Sequence, residues 1–399
     1  MSEPLNILHV TPYYEPAWAY GGSPRVAVEL CRRLARRDHR ITVLTTDAFD
    51  AKTRASQGRH IIDGVEVIRA RNLSNRLAWD RMFLPVGFRH MAGQFMPQAD
   101  VVHIHEVRSL LNAAVLPALH SAPYIIMPHG GLPRDLGRGL YKRVFDAVWG
   151  KRLIAGASRC QALTAMEQEQ WRAVGVPDNR IVLIPNGIDL AAFDMNVDLL
   201  SFRRRFDLPV DAPIVSFLGR LNTIKGLDDL VAAFAGVLEM HPEARLLLAG
   251  PDDGMQAALE VQIARLGIDS QVRFTGMLTS DADKAAVYRV SAVYVLPSRY
   301  ENLPITVLEA LLNATPCIVS DRCGLATRLA KASAAAIVPS GDVDTLTRQI
   351  AAHLAHPASM RRRAERAQRW VRQNFDWETV TDSWEAVYRE CAQSASMSR

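Results

Sequence analysis

Two glutamates in an E-x7-E spacing are the most informative feature of this 399-residue sequence. They are Glu301 and Glu309 in the segment SRYENLPITVLEALLNATP, with Pro304 between them. Proline favours the first turn of a helix, so a helix is predicted to begin around Leu303 to Ile305. The N–H groups of such a helix start suit phosphate, and carboxylates suit hydroxyl groups. An isolated pair of this kind is also typical of solvated surface residues.

A second segment, FLGRLNTIKGLDDL, places two cations in a strand-to-helix loop. Arg220 and Lys225 lie between Gly219 and Gly226, and both glycines permit close approach of the backbone to a ligand. The guanidinium fork and the compact ammonium together suit a diphosphate. With the two glutamates, these cations fit a nucleotide-sugar, whereas alone they would equally fit exposed loop residues.

Two glycine pairs in the first half follow predicted strands. Gly21 and Gly22 precede a helix initiated by Ser23 and Pro24, so the loop can lie flat against a ligand. His129 precedes the second pair at the carboxyl end of a strand, where α/β sheets bind ligands. A flexible turn and a structural histidine remain the alternatives at these two positions.

Short apolar runs alternate with helix-length stretches, which predicts parallel sheets built from βα units. HIIDGVEVIRA predicts a hairpin turning at Asp63 and Gly64. Strands are predicted in the first half at Leu5 to Val10, Arg40 to Thr46, Val101 to His105, Tyr124 to Met127, Gln161 to Thr164 and Ile181 to Ile184. A new series follows at Ile214 to Gly219, Ala244 to Gly250, Val272 to Gly276, Ala292 to Leu296, Cys317 to Ser320 and Ala336 to Val338.

The pattern predicts an α/β fold of two Rossmann-like domains facing each other across a ligand cleft. We place the boundary near Asp189 to Asp211 and assign residues 1–190 to an acceptor-binding domain and residues 191–375 to a nucleotide-sugar-binding domain. Residues 376–399 are predicted to form a helix. Its Trp377, Trp384 and Tyr388 need a surface to cover.

The composition is that of an ordinary globular protein, with 49% hydrophobic and 22% charged residues. No segment has the length and apolar character of a signal peptide or a membrane span, and the five cysteines are scattered, so we expect a cytoplasmic protein with reduced thiols. Residues 1–190 hold 24 Lys and Arg against 17 Asp and Glu, a surplus of seven positive charges that favours an anionic partner.

Together these segments resemble the family 4 retaining glycosyltransferases, which have the two-domain B-type fold. The matching stretches run from about residue 7 to residue 320, and their order and spacing are more specific than any one of them. They are the Gly21-Gly22 loop, HIHE at 103–106, His129-Gly130, IPNGID at 184–189, GRLNTIKG, LLLAGPDDG, VRFTGM and the E-x7-E segment.

The resemblance implies a role for each matching residue. Arg220 and Lys225 would hold the donor diphosphate and stabilise the leaving group, and Gly21 and Gly22 would complete the phosphate site. His129 would touch the sugar near the reacting carbon. Glu309 would bind the ribose. Glu301 would bind the donor sugar together with the backbone of Asn302, Leu303 and Pro304. Gly276 and Met277 would lie beside the base.

The implied reaction retains the anomeric configuration and moves a hexose from a nucleoside diphosphate sugar to a glycan or lipid-linked acceptor, in cell-surface polysaccharide, lipopolysaccharide or glycolipid synthesis. The two cations would make a metal unnecessary. Asp281 and Asp283 form a DxD, but their context predicts a helix start, where aspartates cap the N-terminus. The C-terminal helix would cross back over the first domain.

The sequence departs from the family pattern after VSDRCGL, where Ala326, Thr327 and Arg328 replace an expected glycine pair and acidic residue. A nicotinamide-dependent oxidoreductase is disfavoured because GxGxxG is missing after both first strands. A nucleotide-sugar epimerase, a phosphorylase and a silent glycan-binding or scaffold protein of the same fold remain alternatives.

The positively charged first half of the sequence has two interpretations. Arg25 to Arg37 predict an amphipathic helix with a basic face, and the segment from Arg69 to Met91 interleaves arginines with Trp79, Phe83 and Phe88. This surface could contact an anionic membrane peripherally, or it could be merely solvated. No recognition motif for nucleic acid accompanies the charge.

Overall fold

The computed structural model describes residues 3–133 and 139–397. The chain forms two compact units, of which the first joins residues 1–187 to residues 377–399 and the second is residues 188–376. The predicted boundaries fell after residues 190 and 375. The last two residues of the predicted C-terminal helix lie outside the described residues.

Within the described chain, the first unit contains an eight-stranded sheet whose neighbouring strands are parallel, except for the β3–β4 hairpin. The strand order is β3-β4-β2-β1-β5-β6-β7-β8. The strands are β1 (Asn6–Val10), β2 (Arg40–Thr46), β3 (Gly58–Ile62), β4 (Val65–Ala70), β5 (Val101–His105), β6 (Tyr124–Met127), β7 (Arg159–Ala162) and β8 (Ile181–Leu183). The hairpin turning at residues 63 and 64 is confirmed.

The helices of the first unit cover both faces of this sheet. They are α1 (Gly22–Arg36), α2 (Asn75–Trp79), α3 (Phe88–Phe95), α4 (Leu110–Val115), α5 (Gly139–Phe145), α6 (Lys151–Gly156) and α7 (Ala165–Ala173). A π-helical segment, Asp146–Gly150, joins α5 to α6. The result is the layered α/β arrangement that alternating βα units predict.

One strand of the first unit differs from its prediction. The apolar run suggested Gln161 to Thr164, but β7 ends at Ala162. Thr164 instead caps α7 by accepting a hydrogen bond from the backbone of Glu167, whose carboxylate in turn accepts from Leu163 N at 2.7 Å. Residues 163 and 164 therefore leave the sheet because they satisfy the start of the next helix.

The second unit contains a six-stranded parallel sheet in the part of the chain that the structure describes, in the order β11-β10-β9-β12-β13-β14. Its strands are β9 (Ile214–Leu218), β10 (Arg245–Ala249), β11 (Val272–Gly276), β12 (Ser291–Leu296), β13 (Cys317–Ser320) and β14 (Ala336–Val338). Each agrees with its predicted bounds to within one residue at either end.

The second unit is completed by helices on both sides of this sheet. They are α8 (Leu199–Arg205), α9 (Leu227–Leu238), α10 (Gln256–Leu266), α11 (Asp281–Val290), α12 (Ile305–Leu312), α13 (Ala326–Lys331), α14 (Val343–Ala355) and α15 (Pro357–Asn374). Chain order and strand order diverge at β9, because β10 lies on one side of it and β12 on the other. The carboxyl ends of β9 and β12 therefore mark a topological switch point.

The last helix, α16 (Trp377–Met397), belongs to the first unit. Trp384 and Tyr388 are buried, and the Tyr388 hydroxyl bonds Nδ1 of His103 on β5 at 2.6 Å. Arg37, at the end of α1, pairs with three acidic residues of α16. The prediction that the C-terminal helix covers the first domain is confirmed.

Candidate active site

Lys225 and Glu301 lie in the loops that follow β9 and β12, two neighbouring strands at the switch point of the second unit. Lys225 ends a short 3-10 turn, Thr223–Lys225, after β9, and Glu301 lies in the loop between β12 and α12. The Lys225 ammonium donates a hydrogen bond to the Glu301 carboxylate, and about a fifth of each side chain is exposed. A cation and an anion thus share one half-buried position at the edge where α/β sheets bind ligands.

Arg299 ties these two loops together. Its backbone N–H donates to Ile224 O at 2.7 Å, and its guanidinium donates to Thr223 O at 2.8 Å. The same guanidinium pairs with Asp228 and Asp229 in the first turn of α9, at 2.7 and 3.0 Å. The loop carrying Lys225 is therefore held against the loop carrying Glu301 by a residue that the sequence analysis did not single out.

Glycine is required where these loops approach most closely. Gly226 has a positive φ of 64°, and a Cβ at this position would overlap the carbonyl oxygen of Pro297. The same applies to Gly250 after β10, whose Cβ would overlap Gly219 O. At both positions a side chain would force neighbouring backbones apart, which explains the glycines without any ligand contact.

The loop after β13 supports the backbone of Glu301. Glu301 N donates to Arg322 O at 3.1 Å, and Gly324 N donates to Glu301 O at 2.8 Å. Ser320 at the end of β13 donates to Ser298 O at 2.5 Å. These contacts come from the residues just before Ala326, where the sequence departs from the family pattern, and they orient the Glu301 loop.

Arg220 is not joined to Lys225 through a common carboxylate. Its guanidinium bonds Asp253 in the loop after β10 at 2.9 Å, and the Asn222 side chain donates to the same oxygen at 2.9 Å. The Arg220 side chain is 68% exposed. It borders a cavity of about 200 Å³ lined by Leu218, Gly219, Arg220, Gly250, Pro251, Leu278 and Lys284.

Glu309 lies on α12 and is engaged with Tyr288 of α11. The Tyr288 hydroxyl donates to Glu309 Oε2 at 2.6 Å. Burial raises the pKa of Glu309, and the hydrogen bond from Tyr288 opposes this shift. One carboxylate oxygen is therefore held by the protein while the other makes no hydrogen bond to a described residue. The hydrogen bonds of Glu309 do not link it to Glu301.

The remaining predicted donor residues lie at neighbouring strand and helix ends. Gly276 ends β11 with a φ of 66°, and the Met277 side chain that follows is 69% exposed. Asn302, Leu303 and Pro304 are largely buried in the loop before α12. The helix begins at Ile305, within the predicted range, and its N-cap residue is Pro304.

Asp281 and Asp283 occupy the first turn of α11, as the sequence analysis expected. Ser280 caps this helix by accepting from Asp283 N at 3.0 Å. Asp281 pairs with Lys284 at 2.8 Å, and Asp283 pairs with Arg205 at 2.6 Å. Both carboxylates thus have cationic partners on the protein itself, which favours the capping interpretation of the DxD.

In the first unit, Gly21 and Gly22 stand at the start of α1. Gly21 is the N-cap residue with a φ of 102°, and the helix begins at Gly22. A Cβ on either glycine would meet no heavy atom within 4 Å. Unlike Gly226, this pair is not explained by crowding, since only the positive φ of Gly21 requires glycine.

His129 is partly buried and ends a chain of imidazoles whose other members are buried. It follows β6 in the left-handed region, with a φ of 51°, and its Nε2 lies 2.9 Å from Nδ1 of His105. Nε2 of His105 lies 3.0 Å from Nδ1 of His9. Burial lowers the pKa of His129 to about 4 and that of His9 to about 3. These rings are therefore neutral at physiological pH.

Glu106 completes the HIHE motif and lies in a second polar group that sequence reasoning did not assemble. It follows β5 with a φ of 66° and accepts a short hydrogen bond from Tyr13. Arg81 bonds the same hydroxyl at 3.1 Å and approaches the Glu106 carboxylate to 3.7 Å. Burial raises the pKa of Glu106. The loops after β1 and β5 are thereby joined through a carboxylate.

The basic surface predicted on the first unit is largely used by the protein itself. On α1, Arg32 pairs with Glu15 and Asp63, and Arg33 and Arg37 pair with acidic residues of α1 and α16. Phe83 and Phe88 are buried core residues. The interleaved arginines and aromatics therefore do not form one exposed face, because the phenylalanines pack inward.

A model of the glycosyl transferases group 1 matches residues 201–370, and one of glycosyltransferase family 4 matches residues 20–192. An uncharacterized glycosyltransferase of Methanocaldococcus jannaschii is 30% identical over 332 residues, which make up 80% of this chain and 82% of the relative. This chain belongs to the group 1, family 4 glycosyltransferases. As a member, it transfers a sugar from a nucleotide-sugar donor, and the resemblance stated from the sequence is confirmed.

Two further comparisons cover nearly the whole length of this glycosyltransferase. A glycogen synthase of Mycobacterium tuberculosis is 28% identical over 407 residues, covering 96% of this chain and 94% of the relative. The Anabaena Alr3699/HepE protein, solved in complex with UDP-glucose, superposes with a TM-score of 0.72 at 18% identity, over 96% and 99% of the two chains. The B-type glycosyltransferase fold is confirmed.

Proposed function

We propose that this glycosyltransferase moves a hexose from a nucleoside diphosphate sugar to a glycan or lipid-linked acceptor, with retention of the anomeric configuration and without a metal ion. The observation that carries the proposal is the pairing of Lys225 with Glu301 at the switch point of the second sheet. A diphosphate needs a cation there and a sugar needs a hydrogen-bond acceptor, and this pair supplies both.

The donor diphosphate binds to Lys225, to Arg220 and to the N-terminus of α12. When it enters, it competes with Glu301 for the Lys225 ammonium and with Asp253 for the Arg220 guanidinium. Both cations are thus kept in place by carboxylates until the ligand arrives. The N–H groups at the start of α12 add a fixed partial positive charge without further rearrangement.

Glu301, released from Lys225, accepts hydrogen bonds from hydroxyl groups of the donor sugar, with the backbone of Asn302, Leu303 and Pro304. Glu309 offers its unbonded oxygen to the ribose while Tyr288 holds the other. The base lies beside Gly276 and Met277, next to the 200 Å³ cavity near Arg220. Gly22 contributes its N–H group to the phosphate beside Gly21, whose own N–H donates to Trp18 O at 3.1 Å, and His129 contacts the sugar.

During transfer, the bond between the anomeric carbon and the diphosphate oxygen lengthens, and negative charge grows on the leaving group. Lys225 and Arg220 stabilise that charge electrostatically, which is the contribution that a divalent ion makes in metal-dependent enzymes. The acceptor hydroxyl then bonds the anomeric carbon on the face that the nucleotide leaves. Its proton passes to the departing diphosphate.

A hexose donor is supported by what the relatives are described to bind or make. The M. tuberculosis relative is a glycogen synthase, and the Anabaena structure contains UDP-glucose. The nucleotide is tested by measuring thermal stabilisation with UDP- and GDP-linked hexoses, because a ligand that binds only the folded state raises the melting temperature. We expect one diphosphate hexose to shift the melting temperature of the wild type and to shift that of Lys225→Ala much less.

A control variant distinguishes an effect at this site from the general effect of losing one positive charge. Lys331 is an exposed cation on α13, so Lys331→Ala removes the same charge elsewhere and should respond to the donor like the wild type. Stabilisation by the nucleoside diphosphate alone, without transfer to any acceptor, would instead favour the silent binding protein. Conversion of the donor into its epimer would favour the epimerase.

Retention and metal independence are tested on the product and the metal content. NMR of the anomeric proton should show the configuration of the donor sugar preserved in the product. Activity should survive treatment with EDTA and should not rise when Mg²⁺ or Mn²⁺ is added. Loss of activity in EDTA that a divalent ion restores would contradict the role given to Lys225 and Arg220.

The helical segment 139–156 suits contact with an anionic lipid surface better than α1 does. Leu140, Val144 and Val148 recur at four-residue spacing and are 77%, 52% and 48% exposed. Arg143 and Lys151 are exposed on the same segment. Exposed apolar residues next to cations are typical of helices that lie on anionic membranes. No helix among the described residues is both long and apolar enough to span a bilayer.

Cosedimentation with vesicles tests this surface. We expect binding to phosphatidylglycerol vesicles that weakens with salt, and weak binding to phosphatidylcholine. Leu140→Ser with Val144→Ser should reduce binding, whereas Leu200→Ser, which removes a 55% exposed leucine of α8, should not. Equal sedimentation of all variants, or indifference to lipid charge, would exclude the membrane contact.

A further inference from the structure

Three fully buried histidines, His9, His103 and His105, have no role in the donor site described above. His9 lies on β1, and His103 and His105 lie on β5. His9 and His103 are register partners on neighbouring parallel strands, and His105 follows two residues later, so all three side chains share one face of the sheet. Trp384 and Tyr388 of α16 cover that face.

His9 and His105 form an unbranched hydrogen-bond chain with His129. His105 uses both nitrogens, Nδ1 towards His129 at 2.9 Å and Nε2 towards His9 at 3.0 Å. His103 lies outside this chain because its Nδ1 bonds the Tyr388 hydroxyl. A neutral imidazole has one donor and one acceptor nitrogen, so the tautomer of one ring fixes those of its neighbours.

His9, at the buried end of this hydrogen-bond chain, determines which nitrogen of each ring carries the proton. Nε2 of His9 is buried and makes no hydrogen bond within the described residues. An N–H group without an acceptor is a rare and costly state in a protein interior. A proton on Nδ1 of His9 avoids it, and then His105 carries its proton on Nδ1 and donates to Nε2 of His129. The proton of His129 is left on Nδ1.

We propose that His105 and His9 are positioning residues that hold the His129 ring in one orientation with its proton on Nδ1, so that His129 donates a hydrogen bond to an oxygen of the donor sugar. This inference rests on the donor site proposed above and adds the polarity of one of its contacts. Nδ1 of His129 makes no hydrogen bond to any described residue, so it is available for the donor. The chain transfers no proton during the reaction, since each ring keeps its own.

The geometry favours hydrogen bonding over metal binding in this cluster. His9, His103 and His105 have ring nitrogens close enough together to be considered as a metal site. However, the rings of His103 and His105 are stacked, with centroids 4.5 Å apart and planes inclined by 15°. The lone pairs lie in these nearly parallel planes and do not converge on a point about 2.0 Å from each nitrogen, as zinc requires.

The tautomer itself is measured by NMR. In protein labelled with ¹⁵N-histidine, long-range ¹H–¹⁵N correlation separates the Nδ1–H and Nε2–H tautomers, and His129→Gln identifies the His129 signals. We expect Nδ1–H for His129 and for His105 in the free wild-type protein. The Nε2–H tautomer at His129 would overturn the proposal. This readout is independent of turnover, so it stands even if the proposed donor chemistry fails.

A pair of substitutions at residue 105 tests the effect on transfer. The side-chain amide of His105→Asn places a donor near the former Nδ1 and should keep kcat within about threefold of the wild type. His105→Leu removes the donor and should lower kcat about tenfold, with the affinity for the nucleoside diphosphate unchanged because that ligand lacks the sugar. Equal kcat for the two variants would overturn the proposal.

Two controls distinguish the chain from packing and from metal. His103→Asn removes a ring from the same cluster but leaves the links from His9 to His129, so its kcat should match the wild type. Thermal melts of every variant should be measured to establish that each one folds. A stoichiometric metal ion in the purified protein, measured by elemental analysis, would overturn the proposal because ligation would then fix the tautomers.

Discussion

Lys225 donates a hydrogen bond to the carboxylate of Glu301, joining the loop that follows β9 to the loop that follows β12. The two residues are 76 positions apart in sequence, and the neighbouring parallel strands bring them together. Because both side chains are only partly exposed, the pair is screened less than a surface ion pair. Each partner also restricts the orientation of the other.

Removal of either partner should abolish transfer while the fold remains. We expect Lys225→Ala and Glu301→Ala each to lower kcat/KM by about a hundredfold or more, the range found when one group that stabilises transition-state charge is deleted. Steady-state kinetics with the identified donor provides the measurement. Lys331→Ala and Glu365→Ala, which remove exposed charges of α13 and α15, should retain wild-type values. Near-normal turnover in either site variant would refute the assignment.

Gly226→Ala should destabilise the second unit more than a glycine replacement elsewhere. The new methyl group meets the carbonyl of Pro297 and the residue keeps a positive φ, so we expect a loss of about 2–4 kcal/mol in the free energy of unfolding. Gly254→Ala provides the matched comparison, since its φ is also positive but nothing lies within 4 Å. It should cost about 1 kcal/mol in urea unfolding. Equal losses would show that steric overlap at Pro297 is unimportant.

The stability of the protein should decrease as the pH falls below about 6.5. His9 has a pKa lowered to about 3 by burial against His103 and His105, whereas in the unfolded chain its pKa is 6.5. The unfolded state therefore binds the extra proton, and stability falls with decreasing pH from 6.5 towards 3. Between pH 7.5 and 5.5 this histidine should account for about 1.4 kcal/mol.

Urea unfolding at the two pH values measures this effect. His9→Gln cannot titrate, so its loss of stability between pH 7.5 and 5.5 should be smaller than that of the wild type by the stated amount. His120→Gln, which replaces an exposed histidine, should behave like the wild type. An unchanged pH dependence in His9→Gln would contradict the neutral state of the buried ring.

Tyr388→Phe should weaken the attachment of α16 to the sheet. The change removes the hydroxyl group that bonds Nδ1 of His103 at 2.6 Å and leaves a buried nitrogen without a partner, at a cost of about 1–3 kcal/mol. Tyr20→Phe removes a buried hydroxyl that makes no hydrogen bond within the described residues and should cost less than about 0.5 kcal/mol. Equal unfolding free energies for the two variants would contradict the prediction.

The fold was predictable because local signals agreed with the final topology. Pro304 indicated a helix start, and α12 begins at Ile305. Apolar runs bounded by glycine or proline located β9 and β12, and the rule that ligands bind at carboxyl ends then indicated the loops of Lys225 and Glu301. The end of β7 was predicted wrongly because threonine is as typical of a strand as of a helix N-cap. The hydrogen bond that Thr164 accepts from Glu167 N makes it the cap of α7.

Contacts that depend on backbone carbonyls or on strand register could not be predicted. Arg299 binds the oxygens of Thr223 and Ile224, and a carbonyl has the same chemistry at every residue. His9 joins His105 only because β1 pairs with β5 in a particular register. The arginines of α1 suggested a membrane surface because their acidic partners on α16 lie about 340 residues later in the sequence.

The order in which the ribosome releases the chain has an unusual consequence for this enzyme. The second unit is one continuous stretch, and its two ends meet where Ile188 N bonds Phe375 O at 2.7 Å. The first unit needs Trp384 and Tyr388, which follow the second unit in sequence, to cover its histidines. Because the second unit is a single uninterrupted stretch, all of it leaves the ribosome before Trp384 and Tyr388 do, whereas the amino-terminal sheet meets this part of its cover only after residues 188–376 have been made.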